Sequence, residues 1–192
     1  PEVIKNTINS LINTNLPNLT KYNKIHIVGC GSAYHAGLVG KYIIEKYCNI
    51  EVNVEIASEY RYKKCFYDKN TLVIFVSQSG ETADTLASLR KVKEDGIDTL
   101  SIVNVVGSSI ARESKYVMYT KAGCEIAVAT TKAYTAQITI LALLAIKKSN
   151  TNIDTLITDI NNIKETISSL INDIDYVSIA EEIYKRDDIF FI

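Results

Sequence analysis

Residues 77–82 read Ser-Gln-Ser-Gly-Glu-Thr. Three hydroxyls, a carboxamide and a glycine within six positions can surround an anion. A phosphate presents acceptor oxygens, and each Ser or Thr can donate one O–H to it. The six residues stand directly before an amphipathic stretch, Thr82 to Asp95, which Gly96 closes at a helix C-cap position. A helix starting there turns its free N–H groups and the positive end of its dipole onto the same spot. The hexapeptide holds no Lys or Arg, so an anion would be recognised by hydrogen bonds and not by opposite charge. Taken singly, Ser79 or Thr82 reads as an ordinary N-cap and Glu81 as a first-turn carboxylate. The six together point to an anion cradle.

A second loop, Gly29-Cys30-Gly31-Ser32-Ala33, follows an apolar run and also precedes a helical pattern. Its Gly-x-Gly resembles the opening of a dinucleotide fingerprint. The third glycine of that motif should fall at position 34, which is Tyr34, and Gly37 comes too late. No acidic residue ends the following strand in the place that would take a ribose, which argues against a nicotinamide cofactor. Cys30, near a helix start, reads as a small packing residue with no base beside it in sequence. His35 reads as a helix-surface residue and His26 as a structural one. A third loop, residues 125–132, carries Thr130 or Thr131 as a helix cap; Glu125 and Lys132 bracket it and read equally well as a surface ion pair.

Positioning these loops requires a particular order of elements. Helical spacing covers 2–15, 32–48, 82–95, 132–148, 153–172 and 176–186, with short turns over 57–61 and 108–113. Strand patterns cover 24–29, 50–56, 71–76, 99–105 and 116–120, and 189–192 reads as the start of another. Such alternation is the signature of an α/β, doubly wound parallel sheet with right-handed crossovers, here five-stranded and flavodoxin-like with flanking helices. In that arrangement ligands bind beyond the carboxyl ends of the strands where strand order reverses, between the first and third strands. Loops 29–33 and 77–82 would face each other there. The expected organisation is an N-terminal helical arm over 1–23, a ligand-binding domain over 24–150, and a helical connector over 151–192. A start at Pro1 and an end inside an apolar run suggest a piece of a longer protein.

Composition bounds the partners. With 21 basic and 22 acidic residues, the formal charge of −1 offers no footprint for nucleic acid or an anionic membrane. The longest apolar stretch, Ile138 to Ile146, is too short to span a bilayer. Four cysteines are too sparse for a disulfide framework and form no metal-binding pattern, so a reducing, cytoplasmic setting is expected. Neither a metal nor a cofactor is implied. The apolar helix 133–146 reads as one buried on most sides.

Ser-Gln-Ser-Gly-Glu-Thr-Ala-Asp-Thr-Leu (77–86) resembles the sugar-phosphate-binding motif of SIS (sugar isomerase) domains. Three further segments are similar, more narrowly, to the first SIS domain of the glucosamine-6-phosphate synthase family. They are Val-Glu-Ile-Ala-Ser-Glu-Tyr-Arg-Tyr (54–62), Asn-Val-Val-Gly-Ser-Ser-Ile-Ala-Arg-Glu-Ser (104–114) and Ala-Gly-Cys-Glu-Ile-Ala-Val-Ala-Thr-Thr-Lys-Ala-Tyr-Thr (122–135). The similarity runs in register from about residue 24 to 148.

The resemblance implies a SIS fold in which Ser77, Ser79 and Thr82 hold the phosphate of a hexose 6-phosphate, fructose 6-phosphate or glucosamine 6-phosphate, with help from Gln78. It places Gly31, Ser32 and Ala33 in the facing loop and Val128 and Thr130 on a third wall. Ala33 departs from the family, which usually has a hydroxyl there. That family converts fructose 6-phosphate and glutamine to glucosamine 6-phosphate and glutamate. Its ammonia comes from a glutaminase domain, and its acid–base groups lie in a second SIS domain and the C-terminal tail. The resemblance therefore implies no catalytic residue in this chain, a fragment inactive alone, and a homodimer. Two alternatives remain open. One is a stand-alone phosphosugar isomerase or deglycase using Glu81, His35 or Glu125 as base. The other is a sugar-phosphate sensor attached to a DNA-binding domain.

Overall fold

Thr71–Ser77 is buried at every residue, as a strand covered on both faces must be, and it forms the centre of the sheet. The computed structural model describes residues 2–11, 17–124, 130–149 and 153–189. Five strands lie in one sheet: β1 (Lys24–Gly29), β2 (Glu51–Ile56), β3 (Thr71–Ser77), β4 (Asp98–Val103) and β5 (Tyr116–Tyr119). Their order is β2-β1-β3-β4-β5 and every neighbouring pair is parallel. This is the expected doubly wound, flavodoxin-like sheet, with the reversal of strand order between β1 and β3. The pairing of Gly29 with Val76 sets the ends of those two strands side by side.

The helices are α1 (Glu2–Leu11), α2 (Ser32–Cys48), α3 (Ala57–Tyr60), α4 (Ala83–Glu94), α5 (Ser109–Glu113), α6 (Lys132–Ser149), α7 (Ile153–Asp173) and α8 (Tyr176–Ile183). Alternate residues of β3 serve two cores. Leu72, Ile74 and Val76 join Ile25, Ile27, Ile44, Leu141 and Leu144 under α2 and α6. Val73 and Phe75 join Tyr60, Leu89, Val92 and Ile110 under α3, α4 and α5. Each such side chain contributes about 1.5–3 kcal/mol on leaving water, which is why the period-two pattern decides the register.

The face that α2 buries differs from a simple apolar reading. Tyr42 is 77% exposed, whereas Ala33, Ala36, Gly37, Gly40, Ile44 and Cys48 are buried. Small residues define the contact because α2 comes very close to its neighbours. A Cβ on Gly40 would lie 2.6 Å from Leu141 Cδ1 of α6, and one on Gly37 would lie 2.9 Å from Ile27 Cγ2 of β1. Gly37, too late for a dinucleotide motif, thus serves helix–sheet packing.

Other boundaries also differ. Strand β4 ends at Val103, two residues before the expected end, because Asn104 leaves the ladder. Its Oδ1 accepts from Thr120 Oγ1 (2.9 Å) and from the Ala122 N–H (2.8 Å), and its Nδ2 donates to Gly123 O (2.7 Å). A short 3-10 helix, Leu19–Lys21, was not expected; the Asn18 side chain accepts from the Thr20 N–H to cap it. The first helix is described as far as Leu11, and residues 12–15 of its expected range lie outside the described residues. Helix α8 stops at Ile183 and not 186, closed by the Tyr184 N–H on Ala180 O. Ile189 is not in a strand, and 190–192 lie outside the described residues. Among the described residues no helix is long and apolar enough to cross a membrane.

His26 on β1 is 7% exposed. Its Nδ1 lies 3.4 Å from Tyr60 Oη, and Tyr60 Oη lies 2.7 Å from Tyr67 Oη. Burial pushes the imidazole below its ordinary pKa of 6.5, with Glu55 acting the other way and Lys24 and Lys63 adding to the shift. A depressed pKa means that the unfolded chain takes up a proton first. The stability from neutral His26 is complete above pH 6.5 and is lost as pH falls from there through the folded pKa. Urea titrations at pH 7.5 and at acidic pH should show the wild type losing stability, and His26→Gln losing less. Equal pH slopes in the two proteins would show that His26 carries none of the effect.

Candidate functional site

At the strand-order reversal lies a cleft of about 220 Å³, lined by Cys30, Ser32, Ala33, Val76, Ser77, Gln78, Ser79, Thr82 and Gln137. The loop after β1 and the loop after β3 form two of its walls, as the sequence led one to expect. Ser77 ends β3, buried at 2% exposure, while Gln78, Ser79 and Thr82 are half-buried at the rim. Gly31, at φ +55°, is the N-cap of α2 between two lining residues. Thr130 is half-buried just before α6 and does not line the cleft, and Val128 and Glu125 lie outside the described residues.

The hydroxyls of the loop are organised among themselves. Ser77 Oγ accepts from the Gly80 N–H at 3.0 Å and shares a hydrogen bond with Thr82 Oγ1 at 2.9 Å. Ser79 Oγ accepts from the Glu81 N–H at 3.2 Å. Within the Ser77–Thr82 pair one hydroxyl donates to the other, so one O–H of that pair and the O–H of Ser79 remain to donate outward. Thr82 is the N-cap of α4 by position, yet its side chain makes no capping hydrogen bond. The first-turn N–H groups of α4 are therefore left to solvent or to a ligand. The single-residue reading of Thr82 as an ordinary cap does not hold: its hydroxyl bonds Ser77, and Ser77, Ser79 and Thr82 all line the cleft.

The loop is also tied down from outside. Gln78 O accepts from the Asn104 N–H (3.1 Å) and Gly80 O from the Ile110 N–H (3.0 Å). Glu81 does not serve α4. Its carboxylate accepts from the Ser109 N–H at 2.7 Å, at the start of α5, and that backbone bond holds its pKa below the ordinary value. This engagement weighs against Glu81 as a base. The acidic residue in the first turn of α4, Asp84, pairs with Arg61 at 2.6 Å, which offsets its charge beside the cradle. His35 is exposed and stands edge-on to Tyr34, and Lys132 donates to Cys124 O at 2.6 Å.

Gln137 escaped the sequence reading. It sits on α6, 1% exposed, and reaches the cleft from a helix whose neighbours are apolar. Its signal was a carboxamide inside the helix expected to be buried on most sides, where a polar residue needs a reason.

A family model described as the SIS domain matches residues 18–147. The chain belongs to the SIS domain family. The glutamine–fructose-6-phosphate aminotransferase (isomerizing) of Clostridium tetani is 46% identical over 201 residues, covering 97% of this chain and 32% of that protein. Its namesake in Caldanaerobacter subterraneus is 44% identical over 189 residues, 94% of this chain and 31% of that protein. Among solved structures, the C-terminal domain of glucosamine-fructose-6-phosphate aminotransferase from Francisella tularensis is similar at a TM-score of 0.75. It is 41% identical and covers 89% of this chain and 52% of that one. The SIS domain chain thus spans about a third of the length of the curated relatives it matches. The cleft lies within the matched SIS residues.

Proposed function

We propose that this chain is the sugar-phosphate-binding part of a glutamine–fructose-6-phosphate aminotransferase, and that its cleft holds the phosphate of a hexose 6-phosphate. The observation that carries the reading is the start of α4. A helix N-terminus without a side-chain cap meets Ser77, Ser79 and Thr82 in one cleft, with no cation among the described lining residues. Phosphate oxygens accept from the Ser79 O–H, from one hydroxyl of the Ser77–Thr82 pair and from the first-turn amides. Fructose 6-phosphate or glucosamine 6-phosphate fits this role, since the identity to aminotransferases extends over nearly the whole chain.

Binding is the whole of this chain's contribution. Among the described lining residues there is no carboxylate, imidazole or lysine to move a proton. The chemistry of adding ammonia and forming the aldose belongs, in this reading, to a glutaminase domain and a second SIS domain of a larger, cytoplasmic, homodimeric enzyme.

Thermal melting tests the binding reading. Fructose 6-phosphate at a hundred times its dissociation constant should add about 2.7 kcal/mol of stability. For a chain of this size that is a rise of roughly 5–11 °C. Plain fructose should leave the melting temperature where it was. An equal rise with fructose, or none with millimolar fructose 6-phosphate, would remove the proposal.

A further inference from the structure

We infer that Gln137 is a ligand-binding residue that recognises a hydroxyl of the sugar, so that the cleft reads a polyhydroxylated phosphate monoester at both ends. The inference rests on the proposed sugar-phosphate reading and extends it to the other side of the cleft. Gln137 is 1% exposed and lines the cleft, and its Oε1 is buried without a hydrogen-bond partner among the described residues. A buried acceptor left unpaired is costly, and native proteins rarely carry one without a purpose.

The chemistry of the missing partner follows from the atom. Oε1 is an acceptor, so the ligand must bring a donor. The dianionic phosphate group of a monoester has only acceptors and cannot fill this place. A sugar hydroxyl can, and because it both donates and accepts it matches either edge of a carboxamide. Gln137 reaches the cleft from α6, whereas the outward-facing hydroxyls and the open amides come from the loop after β3 and the start of α4. Phosphate and hydroxyl recognition thus come from different walls, as a molecule with an anionic end and a polyol body requires. Ala33 contributes a methyl group to the lining, so no hydroxyl from that position shares the task.

Calorimetric titration of this chain with fructose 6-phosphate and with inorganic phosphate tests the inference. Gln137→Met keeps the length of the side chain and removes the carboxamide. It should weaken fructose 6-phosphate at least tenfold and leave inorganic phosphate within about twofold, tenfold being about 1.4 kcal/mol. Equal affinity for fructose 6-phosphate in the wild type and the variant overturns the role of Gln137 and leaves the phosphate reading intact. Parallel losses for both probes also overturn it, because Gln137 would then be shaping the phosphate loop. Absence of binding by the wild type removes the phosphate reading, and this inference with it. Should the variant not fold, the side-chain amide resonances of Gln137 in the wild type decide. They should move with fructose 6-phosphate and stay with inorganic phosphate; movement with both, or with neither, overturns the inference.

Discussion

Replacing Ser79 and Thr82 together by alanine should lower the affinity for fructose 6-phosphate by about one to two orders of magnitude while the fold survives. Both side chains are half-buried at the rim of the cleft, so their loss opens no core cavity. Ser77 Oγ keeps the Gly80 N–H at 3.0 Å without Thr82, and the loop stays anchored by Asn104 and Ile110. Of the two outward O–H donors, that of Ser79 goes, while the loss of Thr82 frees the Ser77 O–H that was shared within the pair. A hydrogen bond of that kind to a charged group is worth about 1.5–3 kcal/mol. Titration calorimetry on the folded variant reads the loss directly. An affinity within tenfold of the wild type would place the phosphate elsewhere. Ser77→Ala is a poorer test, because Ser77 also holds the turn at Gly80 and mixes stability with binding.

Gly80→Ala should cost about 2–5 kcal/mol and lower the melting temperature by roughly 4–20 °C. Two effects add. Gly80 sits at φ +68°, a left-handed conformation that costs an L-residue about 1–2 kcal/mol. A Cβ there would also lie 2.0 Å from Ser108 Oγ and 2.5 Å from Ser108 Cβ, inside any permissible contact. Ser108 is 3% exposed and is the N-cap of α5, so it has little room to retreat. Crowding of this kind costs about 1–3 kcal/mol. The double variant Gly80→Ala/Ser108→Gly separates the terms: it should recover the crowding share and retain the backbone share. A melting temperature unchanged by Gly80→Ala would refute both.

Local chemistry was legible in the sequence, and cross-chain chemistry was not. The meeting of Ser77, Ser79 and Thr82 in one cleft could be read because they lie within six residues and need only one turn. The parallel sheet could be read because Leu72, Ile74 and Val76 alternate with Val73 and Phe75 on a strand with two apolar faces. Gln137 could not, since what gives it meaning is a cleft formed 55 residues or more away along the chain. Glu81 was read as a first-turn carboxylate of its own helix, but its partner is the Ser109 N–H, which no local pattern announces. On α2, hydrophobicity favoured Tyr42, while the true contact is made by Gly37 and Gly40, whose value is the absence of a side chain. The strand end at Val103 was hidden for a similar reason: Asn104 serves residues 120–123, which come after the next strand.

The near-contact between Gly40 and Leu141 has a mechanical meaning for the cleft. Leu141 lies one turn beyond Gln137 on α6, and Gly40 lies two turns beyond Ser32 and Ala33 on α2. With the helix axes locked together at that point, neither wall can slide or tilt without carrying the other. The opposite wall is pinned through Gln78, Gly80 and Glu81 to the segment 104–110. A ligand therefore meets a mould already set in shape. Little of its binding free energy is spent on ordering the protein, so under the proposed phosphate reading neutral donors suffice where a floppier site would need the pull of a cation.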